Sequence, residues 1–239
     1  MISVCMATFN GEKHIKEQIE SVLMQLSATD ELIISDDGST DNTLIIIKNF
    51  GDNRIKILHH QKPKLVKMAF YYVSSNFENA LKNAKGDYIF LCDQDDIWKP
   101  KKVHNCLKIL QDYDLVLHDC EIVDENMSLI EKSYFEVNKS KKGLLNNLTK
   151  NAYLGCCMAF RKSVLQKSIP FPAAEIPHDI WIGLIAEYYF KINFYSENMI
   201  SYRRHGKNVS PSGEKSMNSV SYKLTYRLII IHQLIKKLF

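Results

Sequence analysis

The chain has 239 residues, 46% of them apolar and 24% charged, enough for one large α/β domain or two small ones with a sizeable core. The formal net charge of +4 sits at the end of the chain: Lys215, Lys223, Arg227, Lys236 and Lys237 face Glu214 alone, so residues 1–212 are neutral overall. A nucleic-acid-binding domain carries its basicity on its body, and that class is set aside. The six cysteines form no CxxC pair and have no regular spacing, which suits buried, reduced thiols better than a disulfide framework or a zinc site. The adjacent Cys156-Cys157 reads as strand packing. Ile2-Ser3-Val4-Cys5-Met6 is too short for a signal core, and no apolar run reaches the roughly 18 residues of a spanning helix. The expectation is a cytoplasmic protein, at most peripheral at the inner face of the plasma membrane.

Ser3 to Ala7 reads as a strand, ended by the turn chemistry of Thr8-Phe9-Asn10-Gly11. Ile15, Ile19, Val22, Leu23 and Leu26 then share one face of a helix, opposite Glu12, Lys13, Lys16, Glu17 and Glu20. Glu31 to Ser35 is a second strand, closed by Asp36-Asp37-Gly38-Ser39-Thr40-Asp41, where Ser39 or Thr40 can cap a helix over residues 42–49. Arg54 to Leu58 is a third strand. Strands alternating with helices at this spacing predict right-handed βαβ units on a parallel sheet, with ligands beyond the carboxyl ends of the strands. Neither GxGxxG nor GxxxxGK[ST] is present, so dinucleotide and P-loop sites are disfavoured.

Residues 61–75 read as basic and irregular, and Asn76-Phe77 as the opening of a helix carrying Ala80, Leu81 and Ala84. Asn76 is either the cap of that helix or a ligand contact at its amino end. Tyr88 to Cys92 is a buried strand that runs into Asp93-Gln94-Asp95-Asp96 and then Ile97-Trp98. Three carboxylates at a strand end repel one another unless a cation lies between them; the cluster is a hard divalent metal site or a solvated acidic turn. A helix over 101–110 and a strand from Leu115 to His118, ending at Asp119, follow. Residues 132–150 are rich in Lys and Asn and read as a loop; Tyr153 to Arg161 resumes an apolar segment.

His178-Asp179 opens an apolar helix, where an Asp is an N-cap or a base. Residues 200–208 gather Arg203, Arg204, His205 and Lys207 at a turn, either to neutralise a diphosphate or as a solvated loop. From Tyr222 an amphipathic helix carries Leu224, Leu228, Ile231, Ile235 and Leu238 as one stripe. It either docks on the domain or anchors the protein on anionic lipid.

In order and spacing, Ser3–Gly11, Ile33–Thr43, Asn76–Leu81, Gly86–Trp98, His178-Asp179 and Tyr202–Gly206 resemble the family 2 glycosyltransferases, and in the later motifs their bacterial rhamnosyltransferase branch. The resemblance covers about residues 2–210. It implies the GT-A fold, a mixed and mainly parallel sheet flanked by helices, over residues 1–212, with 213–239 as a basic amphipathic helical tail. It implies an inverting transfer from a nucleoside diphosphate sugar (dTDP-rhamnose or a UDP-sugar) to a hydroxyl of a glycan or lipid-linked acceptor in surface polysaccharide synthesis. Asp93-Gln94-Asp95 matches the DxD motif. Asp95 would bind Mn²⁺ or Mg²⁺, His205 would complete the metal site, and Asp93, Gln94 and Asp96 would position ribose, water or loop. Ala7, Thr8, Phe9, Asn10, Asp36, Asp37 and Asn76 would meet the nucleotide, with Phe9 stacking on the base and Asp37 hydrogen-bonded to it. Arg203 and Arg204 would face the diphosphate. Asp179 would be the general base. Many members carry Glu-Asp or Asp-Asp where this chain has His178-Asp179, so contacts at position 178 differ. A nucleotidyltransferase, or a non-catalytic nucleotide-sugar or glycan-binding module, are the alternatives; the Asp36–Ser39 element replaces the glycine-rich basic loop that opens the former.

Overall fold

The computed structural model describes residues 1–62, 69–206 and 219–238. The alternation expected of the first sixty residues is present as β1 (Ile2–Thr8), α1 (Ile15–Leu23), β2 (Glu31–Asp36), α2 (Thr43–Asn49) and β3 (Ile55–His59). β1 runs parallel to β2 and to β4 (Tyr88–Cys92), and β2 runs parallel to β3, as crossover connections dictate. β2 is buried at every position, which is why its middle, Leu32-Ile33-Ile34, is continuously apolar rather than alternating. The register sets Thr8 opposite Asp36, Asp36 opposite His59 and Met6 opposite Cys92. The carboxyl ends of β1, β2 and β4 are therefore level, and the residues that follow them share one edge.

The remaining elements are α3 (Ala69–Lys82), β5 (Ile97–Trp98), α4 (Lys102–Ile109), β6 (Leu115–Val123), β7 (Leu129–Glu131), α5 (Tyr134–Asn138), α6 (Leu144–Thr149), β8 (Met158–Arg161), α7 (Lys162–Ser168), α8 (His178–Tyr189), β9 (Ile192–Arg203) and α9 (Val220–Leu238). Among the described residues the strands form one sheet in the order β3-β2-β1-β4-β8-β6-β9-β5, with β7 on β6. β8 is antiparallel to β4 and β6, β9 is parallel to β6, and β5 returns antiparallel to β9. All six cysteines are free and buried; Cys156-Cys157 lies in a 3₁₀ turn that leads into β8.

The structure departs from the sequence reading in four places. α3 begins at Ala69, so Asn76 is inside the helix and not its cap; residues 63–68 of the stretch read as irregular lie outside the described residues. β6 continues through Asp119 to Val123. Residues 132–150 hold two short helices, whose few apolar side chains (Tyr134, Phe135, Leu144 and Leu148) pack on the core while buried polar groups fix their ends. Asn147, almost fully buried, donates to Lys141 O and Gly143 O and accepts from Ala152 N. The segment up to Arg203 is the end of a twelve-residue strand, with Lys207 outside the described residues.

α9 is apolar on two faces. Ile230 and Leu234 enter a cluster with Ile180, Trp181, Leu184 and Ile185 of α8, with Tyr226 packed alongside. Arg227 donates to Leu148 O and Thr149 O, and Lys237 to Ile169 O, so two of the tail's cations fasten it to the domain. The stripe read from the sequence points elsewhere: Leu224, Leu228 and Ile235 are each more than half exposed.

Candidate active site

The loops after β1 and β2 interlock before any ligand is considered. Asn10 adopts a positive φ of 48°, donates its N–H to Ser39 Oγ (2.9 Å) and accepts from Thr40 N (2.9 Å). Asp41 accepts from Glu12 N, and Glu12 accepts from Asn42 N. Asp36 is buried, with its oxygens taken by Gly38 N, Ser39 N and Ser39 Oγ; it shapes the loop from within. Asp37 faces the edge, where His60 Nδ1 (2.7 Å) and Lys62 Nζ (3.2 Å) reach its carboxylate. Ala7 packs against the core, and its neighbour Thr8 is buried. Phe9 is 46% exposed, and the Lys62 ammonium lies 4.4 Å from its ring centroid. Asn76 is buried beneath this lip; its Nδ2 reaches Thr8 O at 3.4 Å, and its Oδ1 has no hydrogen-bond partner.

Gln94 ties the β4 end to the β1 end. Its Oε1 accepts from Thr8 Oγ1 (2.6 Å) and Phe9 N (2.9 Å), and its Nε2 donates to Phe9 O (3.2 Å). The middle residue of the motif is thus a brace that aims its two aspartates. Gly11 makes room for it, because a Cβ there would lie 2.4 Å from Gln94 Oε1.

The carboxylates divide into an inner and an outer set. Asp93 and Asp96 turn inward, and with Cys156 they form a group whose possible ligand atoms all lie within 4.8 Å of one another. Burial first, and then the charge of Asp95, pushes the Asp93 carboxyl up to about 7 and Asp96 well above the usual carboxylate range; the Cys156 thiol bonds to both and opposes the shift. Arg203 N donates to Asp96 Oδ1 at 3.0 Å, while Asp96 Oδ2 is buried without a partner. Lys102 lies fully buried beneath the cluster. It donates to Cys156 O (2.8 Å), sits 4.1 Å from the Trp98 ring centroid, and its charge opposes the rise at Asp93.

The outer set is Asp95 and His205, with Asp95 Oδ2 and His205 Nε2 2.8 Å apart. β9 brings them together. It pairs with β5 immediately after the acidic turn, and Arg203 Nε donates to Asp95 O (2.9 Å). Arg203 is itself 3% exposed and bound to Glu17 and Glu125 O, so it clamps the acidic turn from behind. Arg204, half-buried, donates its N–H to Val123 O. His14 stacks on His205 with centroids 5.7 Å apart. Carboxylate oxygens with one imidazole are donors suited to Mn²⁺ or Mg²⁺, and the inner set adds Asp96 Oδ2, a buried acceptor without a hydrogen-bond partner. The residues present therefore fit a divalent ion.

Asp179 faces the acidic cluster from the first turn of α8, and its charge is among the causes that raise Asp93. The helix is capped at Pro177 without a side-chain bond, so Asp179 is not the cap. Its Oδ1 accepts from Ile180 N at 2.7 Å, yet burial pushes its carboxyl up to about 6. His178 is stacked on Phe77 at 4.0 Å, held neutral because burial lowers its ring to about 3, and neither ring nitrogen has a partner. Gly155 permits this approach: a Cβ there would lie 2.8 Å from His178 Nε2. Motif reading does not mark Lys102 or His14, and it takes Cys156 for strand packing, whereas Cys156 lies in a 3₁₀ turn against Asp93 and Asp96. Lys102 and Cys156 sit in apolar-patterned stretches and His14 in a helical turn, so only their tertiary neighbours mark them.

A second hollow, of about 560 Å³, is lined by Met1, Ile2, Gln25, Asp30, Lys101 and His104 at the amino ends of β1 and β4. It lies on the sheet edge opposite the carboxylates and gathers none of this chemistry.

Residues 3–169 match the model of glycosyl transferase family 2. An uncharacterized glycosyltransferase of Nostoc sp. is 29% identical over 87% of this chain and 66% of its own length. The UDP-Glc:alpha-D-GlcNAc-diphosphoundecaprenol beta-1,3-glucosyltransferase WfgD of Escherichia coli is 29% identical over 78% of this chain and 70% of its own. The dTDP-rhamnosyl transferase RfbG of Shigella flexneri is 39% identical over 44% of this chain and 36% of its own. The chain thus spans two thirds or less of the length of several relatives. Among solved structures, S. aureus TarS 1–349 in complex with UDP-GlcNAc has a TM-score of 0.71 at 21% identity, covering 96% of this chain and 66% of that one. Glucosyl-3-phosphoglycerate synthase from Mycobacterium tuberculosis, in complex with Mn²⁺, UDP and glucosyl-3-phosphoglycerate, has a TM-score of 0.60 at 18% identity, covering 99% and 79%. These share the GT-A fold. With the family model matching well over half its length, this chain belongs to the family 2 glycosyltransferases.

Proposed function

We propose that the protein is an inverting, metal-dependent glycosyltransferase that moves one sugar from a nucleoside diphosphate sugar to a hydroxyl of a glycan or lipid-linked acceptor. The observation that carries this reading is the convergence of Asp93, Asp95 and Asp179 at one sheet edge, with Asp179 raised by burial to about 6. A carboxylate of that basicity is ionised at neutral pH and still takes up a proton readily. Asp179 removes the acceptor hydroxyl's proton as that oxygen attacks the anomeric carbon, and the bond to the diphosphate breaks on the opposite face.

Phe9 offers its exposed ring to the base, and Asp37 accepts from a base N–H. Lys62, already between these two side chains, moves aside or closes over the base. Gln94 and Arg203 keep the acidic turn rigid under the load of a bound diphosphate. A divalent ion held by Asp95 and His205 would neutralise the charge of the departing diphosphate. The relatives that act from UDP-Glc and with dTDP-rhamnose support those two donor classes.

The exposed stripe of α9 supports peripheral contact with a lipid surface, where a lipid-linked acceptor is presented. No helix among the described residues is long and apolar enough to cross a membrane.

Product analysis tests the reaction class. Wild-type protein with Mn²⁺, a long-chain α-D-GlcNAc diphosphate and UDP-Glc, UDP-GlcNAc or dTDP-rhamnose should release a nucleoside diphosphate, and Asp95→Ala should lose that release. Pyrophosphate as the product would make the protein a nucleotidyltransferase; binding of a donor with no turnover would make it a non-catalytic module.

A further inference from the structure

His60 stands outside every motif read from the sequence, yet it meets Asp37 at the carboxyl edge of the sheet. β3 ends at His59, opposite Asp36, and His60 N donates to Asp36 O at 2.8 Å, which carries the β2–β3 pairing one residue further. On the other side, Asp37 N donates to Thr8 O at 2.9 Å. The backbone thus fixes both residues before their side chains meet. His60 Nδ1 lies 2.7 Å from Asp37 Oδ1, and the two side chains are only 7% and 10% exposed. An ionised carboxylate has no hydrogen to give, so the imidazole donates from Nδ1 and Oδ1 is taken.

The second oxygen, Oδ2, faces a different neighbour. Lys62 Nζ lies 3.2 Å from it, on a side chain that is 45% exposed, and 4.4 Å from the Phe9 ring centroid. The lip therefore carries one exposed aromatic face, one carboxylate oxygen and one ammonium side by side. A planar base stacked on Phe9 presents its edge to Oδ2 and Lys62. That edge is offered one acceptor and one cationic donor. Uracil and thymine match both, because their single imide N–H lies between two carbonyl oxygens: the N–H meets Oδ2 and a carbonyl meets Lys62. Guanine presents two neighbouring N–H groups, which call for both oxygens of a carboxylate, and His60 occupies one. Cytosine and adenine turn a ring nitrogen acceptor toward the carboxylate, and two acceptors then face each other.

We infer that His60 is a positioning residue that fixes Asp37 as a single acceptor and so restricts the donor to an imide base, uracil or thymine. The inference rests on the nucleoside diphosphate sugar reading and on Phe9 and Asp37 meeting the base. His60 acts through Asp37, by taking Oδ1 and by stopping the carboxylate from turning about its last bond. A mismatched base leaves Oδ2 without its N–H, and a site built on hydrogen bonds rejects such a ligand more strongly than an apolar pocket does. Selection of the base is thereby separate from the metal and from the base catalyst, on which neither Asp37 nor His60 lies.

The test is calorimetric titration of the full chain with UDP, dTDP, GDP and CDP in the presence of Mn²⁺, for wild type, His60→Ala and His60→Asn. Wild type should bind UDP and dTDP about tenfold or more tightly than GDP or CDP, the worth of one well-placed hydrogen bond. His60→Ala frees Oδ1 and lets the carboxylate turn. UDP and dTDP should then weaken about tenfold while GDP does not weaken, so that the preference closes; a merely structural role would weaken all four alike. His60→Asn returns an N–H close to the place of Nδ1 and should keep the wild-type ranking. A wild type that prefers GDP or CDP, a His60→Ala protein in which all four change in parallel or none changes, or a His60→Asn protein without the ranking overturns the inference and leaves glycosyl transfer standing. If His60→Ala does not fold, the wild-type ranking and His60→Asn decide. A wild type that binds none of the four overturns the donor reading itself, and this inference with it.

Discussion

Replacing Asp179 with Asn should remove transfer and make the protein more stable, and the two effects come from one cause. Burial raises the Asp179 carboxyl from the ordinary aspartate value of 3.8 to about 6. Because the folded-state value lies above the unfolded one, the folded state holds the proton more tightly between those values. Stability is therefore lost as pH rises from about 4 to about 6, and the deficit is complete above that. A difference of roughly two pKa units corresponds to about 3 kcal/mol. That figure is an upper limit, since the Asn amide must find acceptors of its own. The Ile180 N–H bond survives in Asp179→Asn, because the amide oxygen can still accept it. A gain of about 1–3 kcal/mol at pH 7.5, or several degrees in Tm for a chain of this size, is expected, with no gain at pH 4. Transfer should fall by about 10²–10⁴, the usual contribution of a general base, with donor affinity unchanged. Wild-type kcat/KM should show an acid limb near pH 6, moved lower by the charge of a bound cation. Scanning calorimetry at the two pH values and a pH–rate profile measure all of this. A less stable Asp179→Asn protein, or one that has lost donor binding, would refute the reasoning and make Asp179 a structural or donor-site group.

Gly11→Ala should push Gln94 off Thr8 and Phe9, since the added methyl would sit 2.4 Å from its Oε1; a loss of about 1–3 kcal/mol in thermal stability with weaker donor binding by calorimetry is expected. Lys102→Met removes the cation beneath the acidic cluster. Asp93 then rises further, so the variant should lose more stability relative to wild type at pH 8, where the carboxyls ionise, than at pH 5, where they hold protons; equal losses at both would show that Lys102 acts only by packing. Leu228→Asp with Ile235→Asp places two charges on the exposed face of α9 and leaves Ile230 and Leu234 docked. Co-sedimentation with vesicles containing anionic lipid should fall severalfold while Tm stays the same, and equal binding of both forms would remove the membrane reading of α9.

Much of this molecule is written in local pattern. The continuous apolar runs of β1, β2 and β4 specify strands buried on both faces, and the residues that break those runs had to fall on one edge once the strands were parallel and level. That Thr8, Asp37, Asp93 and Asp95 share one edge is therefore readable from the sequence. α5 and α6 are illegible because they are five and six residues long, too short for a periodic trace, and are fixed in part by polar contacts such as those of Asn147 and Asp119. The stripe of α9 misled for a related reason. The helix is apolar on two faces, and periodicity cannot say which one meets the domain.

Several arrangements inside the site depend on partners far away in sequence. Arg203 has the charge to bind a ligand, but it clamps the acidic turn from behind through Asp95, whereas Asp36 is taken up locally by Gly38 and Ser39. His205 meets Asp95 only because β9 pairs with β5, across more than a hundred residues of chain. The sequence by itself determined the strands, their order of polar breaks and the acidic edge, since these follow from the spacing of apolar residues along one segment. Which carboxylates turn inward over Lys102 and which basic groups brace the acidic turn only the tertiary structure decided. Those outcomes depend on burial and on hydrogen bonds between segments that no local pattern encodes.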